Sequence, residues 1–480
     1  MATTTVLSWD ESGGIAMEPW ELDATSAAAL IAKRDLSALE CVNAHLSRID
    51  AINPHLNAIV RRTDDDARRQ AADVDAGRVT GSLAGAVVTT KINTDHVPYP
   101  SDNGIKALAA HQPVETHPGV KGLIDEGLVM VGRTNSPAFA MRFHTANDLH
   151  GETLNPFDRD ISCGGSSGGA GVAVATGMCQ IAQGNDIAGS IRWPATLNGV
   201  IGLRPTIGRI PGGGTSPTVG RGWGAANMST NGPLARTMAD IRTAFHVMSA
   251  NNWNDPNWIP VEHRFTHDHR PIKVGLVTSD GDHIDPHVVD AVKRVGTALE
   301  DAGYVVDEVS LPLTDVFFTL WERLGALDLA LGLAPMLKDI DDSGLHAAIS
   351  DWVTTLPAPT PQTFMSALVD RDFVMRAWTR FSADHPIVVS PLMALPSIPR
   401  GFDIDHPGAM SELMRTGRWG VNLSAIAMPA LAFPTGKVNG VPIGVQLFSR
   451  AWREDLLLDA GDALEERFGV VKPTNCLWAH

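Results

Sequence analysis

Two serines in consecutive glycine-rich segments and a lysine upstream of both are the residues here whose types and spacing could do bond-breaking chemistry. Ser166 lies in Gly164-Gly165-Ser166-Ser167-Gly168-Gly169, Ser190 in Asp186-Ile187-Ala188-Gly189-Ser190-Ile191-Arg192, and Lys91 just before Asn93, Thr94 and Asp95. A serine hydroxyl is a weak nucleophile near neutral pH and needs a proton acceptor within hydrogen-bond reach. The residues leave two kinds of acceptor open. One is Lys91. The other is a histidine such as His150 or His385, because Gly164 to Gly168 also satisfies G-x-S-x-G, the strand-to-helix turn that carries the nucleophile of α/β-hydrolases. Other chemistries lack their signatures. There is no G-x-x-x-x-G-K-[ST] for a phosphate loop, no H-E-x-x-H for a zinc hydrolase and no Ser-x-x-Lys for the β-lactamase arrangement. The four cysteines (Cys41, Cys163, Cys179, Cys476) show no C-x-x-C spacing and read as reduced, packed thiols, Cys163 included.

These side chains must be held by elements that the periodicity outlines. Ala86, Val87 and Val88 form a short β-prone run after Gly85, which puts Lys91 at a strand end, where ligands gather in open α/β sheets. Ala170 and Val172 to Ala175 read as a buried helix opened by the glycines, and the rest of Asn155 to Pro205, like Pro211 to Asn227, reads as ordered loop around a cleft. A capping box at Ser37 and Glu40 starts a helix through Leu39, Val42, Leu46 and Ile49 that ends before Pro54, and Asp64 to Asp75 reads as an exposed helix. From Ile272 a βα unit follows, with strands at Lys273 to Val277 and Tyr304 to Val309 around a helix from Asp285 to Ala302. Residues 311–420 read as helical, Val441 to Leu447 as a strand and Glu454 to Phe468 as an amphipathic helix. No linker separates independent cores. The expectation is one α/β domain over 1–480, divided into a helical part at 1–80, a catalytic core at 81–210, a substrate-shaping region with inserted helices at 211–420 and a return to the core at 421–480.

The combination of Lys91, Gly165-Ser166-Ser167-Gly168 and Gly189-Ser190-Ile191-Arg192 resembles the amidase signature family, and the separation of the two serines matches the family spacing. Further landmarks are similar: Gly132-Arg133-Thr134-Asn135-Ser136-Pro137, Asn155-Pro156-Phe157-Asp158, Gly202-Leu203-Arg204-Pro205-Thr206, Met428-Pro429-Ala430 and Gly440 to Leu447. The resemblance implies a mixed, twisted β-sheet covered by helices on both faces. It implies Ser190 as nucleophile, Ser166 as a bridging serine in a cis peptide with Gly165, and Lys91 as base. The N–H groups of Ile187, Ala188, Gly189 and Ser190 would form the oxyanion hole, with Asp186 and Arg192 holding the loop. Lysine serves as a base only if its pKa falls from ~10.4 toward ~7 to 8, a change worth about 4 kcal/mol, which calls for a dry pocket. Two positions depart from the family. Ala188 stands where glycine is common, and Ile92 and Asn93 follow the lysine where an aspartate often does.

A formal net charge of -16 argues against nucleic-acid and anionic-membrane partners, and the chain has neither a basic run nor a long apolar segment. A cytoplasmic protein is expected. The substrate expectation is a small neutral amide, ester or carbamate, with no cofactor or metal; a homo-oligomer is compatible with it. Trp193, Arg209 and Trp223 are candidate substrate contacts, and Pro211 to Met228 a candidate gate. The resemblance leaves open an amidase, a carbamate hydrolase (urethanase), or an amidotransferase subunit that needs partner chains.

Overall fold

Several strands of the sheet are buried along their whole length, so their sequences lack the in-out alternation of a half-exposed sheet. The computed structural model describes residues 17–213, 222–250, 255–262, 271–329, 334–337, 339–355 and 360–479. In these, the strands are β1 (Ile59–Arg62), β2 (Val87–Lys91), β3 (Val129–Thr134), β4 (Ala146–Asn147), β5 (Gly151–Glu152), β6 (Ile181–Asp186), β7 (Ile201–Arg204), β8 (Thr230–Ala235), β9 (Lys273–Leu276), β10 (Val305–Glu308), β11 (Ile387–Ser390), β12 (Ala430–Val438) and β13 (Val441–Ser449). β4 and β5 pair with each other, and the other eleven form one mixed sheet in the order β1-β3-β2-β6-β8-β7-β12-β13-β11-β9-β10. The chain is a single large α/β domain. One apolar cluster joins the sheet to helices Ala38–Leu56 and Gly168–Ala175 through Val42, Leu46, Ile49, Val172 and Val174. A second joins it to Met238–Met248, Pro286–Asp301 and Glu454–Phe468 through Phe245, Val292 and Leu457.

β2 and β6 run parallel, with Val88 opposite Ile181 and Thr89 opposite Ala182. Their C-terminal ends therefore emerge at the same edge of the sheet. Lys91 is the last residue of β2 and Asp186 the last of β6, so the strand register alone brings the lysine beside the segment that leads to Ser190.

Several expectations are corrected. Ser37 and Glu40 do make a reciprocal capping box, but the helix runs from Ala38 to Leu56 with Pro54 inside it. Pro54 lacks the N–H that would bond four residues back, so it removes one hydrogen bond near the helix end, and Asn57 ends the helix at φ 50°. The stretch Asn155 to Pro205 is not mainly loop: it contains helix Gly168–Ala175, β6, helix Arg192–Asn198 and β7. The first of these is the helix expected after the glycines; the other three, at four to seven residues each, are too short to show a period. The region 311–420 contains β11, which lies between β13 and β9 in the sheet. In the candidate gate, Trp223–Met228 is helical, and residues 214–221 fall outside the described residues.

Candidate active site

The Lys91 side chain is wholly buried, and its Nζ lies 2.7 Å from Ser166 Oγ and 2.8 Å from Asn185 Oδ1. Asn185 Nδ2 donates to Asn93 Oδ1 at 2.9 Å, which fixes the amide so that its oxygen faces the lysine. An amide oxygen can only accept, so it engages one amine N–H and leaves the lone pair of a neutral lysine for the Ser166 hydroxyl. This neutral amide pair answers what surrounds a lysine followed by Ile92. Burial pushes the Lys91 ammonium well below its ordinary 10.5, with Asp186 pulling the other way. No carboxylate is among its hydrogen-bond partners in the described residues. Sequence reasoning missed Asn185, because its place on β6 beside β2 is set by sheet order.

The peptide bond between Gly165 and Ser166 is cis. Glycine is required at 165, since a Cβ there would lie 2.7 Å from Arg142 O and from the Phe143 carbonyl carbon. The Ser167 N–H donates to Ser190 O at 3.1 Å and ties the two serine segments together. Ser190 is 6% exposed against 1% for Ser166, so the more open of the two residues is Ser190. No histidine hydrogen-bonds Ser166 in the described residues: His150 pairs with Asp102, and His385 lies 3.5 Å from Asp307. A serine, histidine and acid do line up as Ser162, His144 and Glu152, at 3.0 and 2.7 Å. Ser162 is 1% exposed and its Oγ already accepts the Gly164 N–H, so this trio braces the turn before Ser166.

Asp186 organises the loop that carries Ser190. Its carboxylate accepts the Gly189 N–H at 2.8 Å and the Ile191 N–H at 3.2 Å, and two Arg192 nitrogens at 2.9 Å. Arg204 lies 3.5 Å from it. Burial alone would push this carboxyl up, but Arg192, Arg204 and the Gly189 N–H outweigh it and hold it at about 2. Its contribution to stability is therefore present above the ordinary 3.8 and is lost as pH falls toward about 2. Asp186→Asn is expected to cost about 3 to 5 kcal/mol, because two buried guanidinium groups lose their counter-charge. A urea midpoint unchanged from wild type would contradict that.

The four candidate oxyanion donors are not equivalent. The Gly189 N–H is committed to Asp186, whereas those of Ile187, Ala188 and Ser190 meet no acceptor among the described residues. Ala188 does not need the positive φ that its departure from glycine raised. That conformation falls to Gly189, at φ 101°, where a Cβ would lie 2.1 Å from Trp193 Cδ1.

The three candidate substrate contacts each have protein partners. Trp193 is fully buried; its indole N–H donates to Ala188 O at 3.2 Å and its ring packs on Phe143 with centroids 5.0 Å apart. Arg209 is 3% exposed, lies 3.4 Å from Glu454 and donates to Val261 O. Trp223 is half-buried and meets Phe364 edge-on at 5.5 Å. A side chain's pattern in sequence does not tell which face of a helix or loop it takes. A polar cavity of about 150 Å³ does open beside the asparagine pair, and its lining includes Asn93, Asn185, Ser229 and Asn231. No helix among the described residues is long and apolar enough to cross a membrane.

The Amidase family model matches residues 40–458. An indoleacetamide hydrolase of Bradyrhizobium diazoefficiens is 39% identical over 459 residues, 94% of this chain and 87% of that protein. An acylamidase of Rhodococcus erythropolis is 30% identical over 458 residues, 91% and 93% of the two chains. Among solved structures, a 6-aminohexanoate cyclic dimer hydrolase complexed with substrate superposes with a TM-score of 0.82 at 25% identity, covering 96% of this chain and 100% of that one.

Proposed function

The chain belongs to the amidase (amidase signature) family and is a hydrolase of carbon–nitrogen bonds in amides, and from that membership we propose that it cleaves small neutral amides with an aromatic acyl part through an acyl-enzyme on Ser190. The observation that carries the reading is a buried lysine, with no bonded carboxylate among the described residues, 2.7 Å from Ser166 Oγ. Neutral Lys91 accepts the Ser166 proton while Ser166 accepts that of Ser190, and Ser190 Oγ adds to the amide carbon. The carbonyl oxygen becomes an oxyanion facing the unspent N–H groups of Ile187, Ala188 and Ser190, each worth roughly 3 to 4 kcal/mol in such a site. As the intermediate collapses, the C–N bond breaks and the proton held by Lys91 returns through Ser166 to the leaving nitrogen. Water then repeats the sequence on the ester, releasing a carboxylic acid and restoring Ser190.

Aromatic acyl groups are favoured by the 39% identity to an indoleacetamide hydrolase and by Trp321, which hydrogen-bonds the nucleophile loop and stacks edge-on with Trp352 at 5.7 Å. A carbamate passes through the same tetrahedral step, so urethane hydrolysis is the second activity to test. Purified wild type and Ser190→Ala are incubated with indole-3-acetamide and matched anilide, aryl ester and N-aryl carbamate substrates. Wild type is expected to hydrolyse the amides, with the variant inactive. An anilide rate at least tenfold above the carbamate rate makes the enzyme an amidase first, and the reverse ratio a urethanase. A single chain that hydrolyses none of them overturns the reading and favours an amidotransferase subunit.

A further inference from the structure

The nucleophile loop is gripped by two tryptophans, and the two grips differ in what they leave free. Trp193 Nε1 donates to Ala188 O, and the N–H at the other end of that same peptide, on Gly189, is bonded to Asp186. This peptide is held at both ends and has nothing left to offer a substrate. Trp321 Nε1 donates to Ile187 O at 2.6 Å, while the N–H of that peptide, on Ala188, has no acceptor among the described residues. C=O and N–H point in opposite directions across a trans peptide. Holding the oxygen therefore aims the hydrogen without consuming it, as an oxyanion donor requires.

We propose that Trp321 is a positioning residue for the oxyanion site, fixing the Ile187–Ala188 peptide so that the Ala188 N–H meets the substrate carbonyl oxygen; this rests on Ser190 being the nucleophile. Trp321 is itself well placed to act as a fixed post. It is 6% exposed, its backbone N–H donates to Asn422 Oδ1 at 3.0 Å, and Asn422 is anchored in turn to Phe318 O and Arg418 O. Ser424, on the same helix as Asn422, donates to Asp186 at 3.4 Å, so one helix, Arg418–Ala425, steadies both the indole and the carboxylate. The helix bearing Trp321, Leu320–Leu327, lies outside the segments that carry Lys91, Ser166 and Ser190, so a residue distant from those motifs sets part of the catalytic geometry.

Trp321→Phe removes the N–H and keeps an aromatic ring. It is expected to lower kcat on an amide about 10- to 100-fold with KM changed less than about twofold, since the interaction operates on the transition state. The inhibition constant of an arylboronic acid, which forms a tetrahedral adduct on serine, is expected to rise by the same factor, and the pH profile set by Lys91 to stay in place. An unchanged kcat and inhibition constant would overturn the proposal, as would a raised KM with kcat intact, which would make the ring only a wall of the pocket. If Trp321→Phe does not fold, 3-benzothienylalanine at position 321, isosteric and lacking the N–H, gives the same comparison. Ser190→Ala assayed alongside separates the failures: activity in that variant overturns the nucleophile, whereas an inert Ser190→Ala with an unaffected Trp321→Phe overturns only the role of the indole.

Discussion

Ser190→Ala is expected to reduce kcat on an amide by on the order of 10⁴- to 10⁶-fold, the scale seen when a hydrolase loses its nucleophile. The loss should be chemical and not structural. The loop around Ser190 is held through its backbone: Ser167 N–H to Ser190 O, Asp186 to the N–H groups of Gly189 and Ile191, and Trp193 N–H to Gly189 O at 2.7 Å. None of these involves the hydroxyl, so thermal stability should stay within a few degrees of wild type. Mass spectrometry of wild type treated with a slow carbamate or a fluorophosphonate should find the adduct on the peptide containing Ser190. An adduct on Ser166, or wild-type turnover by the variant, would transfer the nucleophile to Ser166 and require a different base.

Lys91→Met should cost about 10²- to 10⁴-fold in kcat/KM, the range of general acid–base catalysis, and should also remove a limb from the pH profile. Only neutral lysine can accept a proton, so wild-type activity rises with pH as Lys91 deprotonates, and burial brings that rise well below 10.5. Methionine, close in size and uncharged, leaves no such limb. Wild-type stability moves with pH in the same direction. A lysine whose pKa is depressed in the folded state binds fewer protons than it does unfolded, so its cost is greatest at low pH and fades as pH climbs to the ordinary 10.5. The variant should accordingly be more stable than wild type, by a margin that shrinks toward alkaline pH. Asn185→Asp provides the counterpart, because a carboxylate in place of an amide oxygen 2.8 Å from Nζ favours the ammonium and moves the activity limb to higher pH. If Lys91→Met keeps the wild-type limb, the titrating group is another one.

The local structure around Lys91, Ser166 and Ser190 was legible because it depends on backbone-defined segments. Glycines beside Ser166 and Ser190 mark turns whose geometry is local, and the polar residues just past Val87 and Val88 mark where a strand must end. Those local rules placed Lys91 correctly at the end of β2 and the buried helix after Ser167. They failed where the signal is weak or non-local. β11 went unseen within a helical stretch because four residues between long helices carry no periodicity of their own. Pro54 marked the end of its helix only approximately.

Contacts between distant segments were decided by the tertiary structure alone. Asn185 bonds the lysine because β6 lies beside β2, a pairing set by sheet order and register. Trp193 braces the loop, although its position three residues past Ser190 was equally compatible with lining a pocket. Trp321, more than a hundred residues downstream, reaches Ile187 only once its helix is docked on Arg418–Ala425. The sequence by itself determined the family and the glycine-rich turns and strand end that carry Ser166, Ser190 and Lys91. Which N–H groups remain unspent, what surrounds the lysine and which aromatic rings hold the loop follow from packing, because hydrogen-bond partners and burial depend on neighbours in space and not on neighbours in the chain.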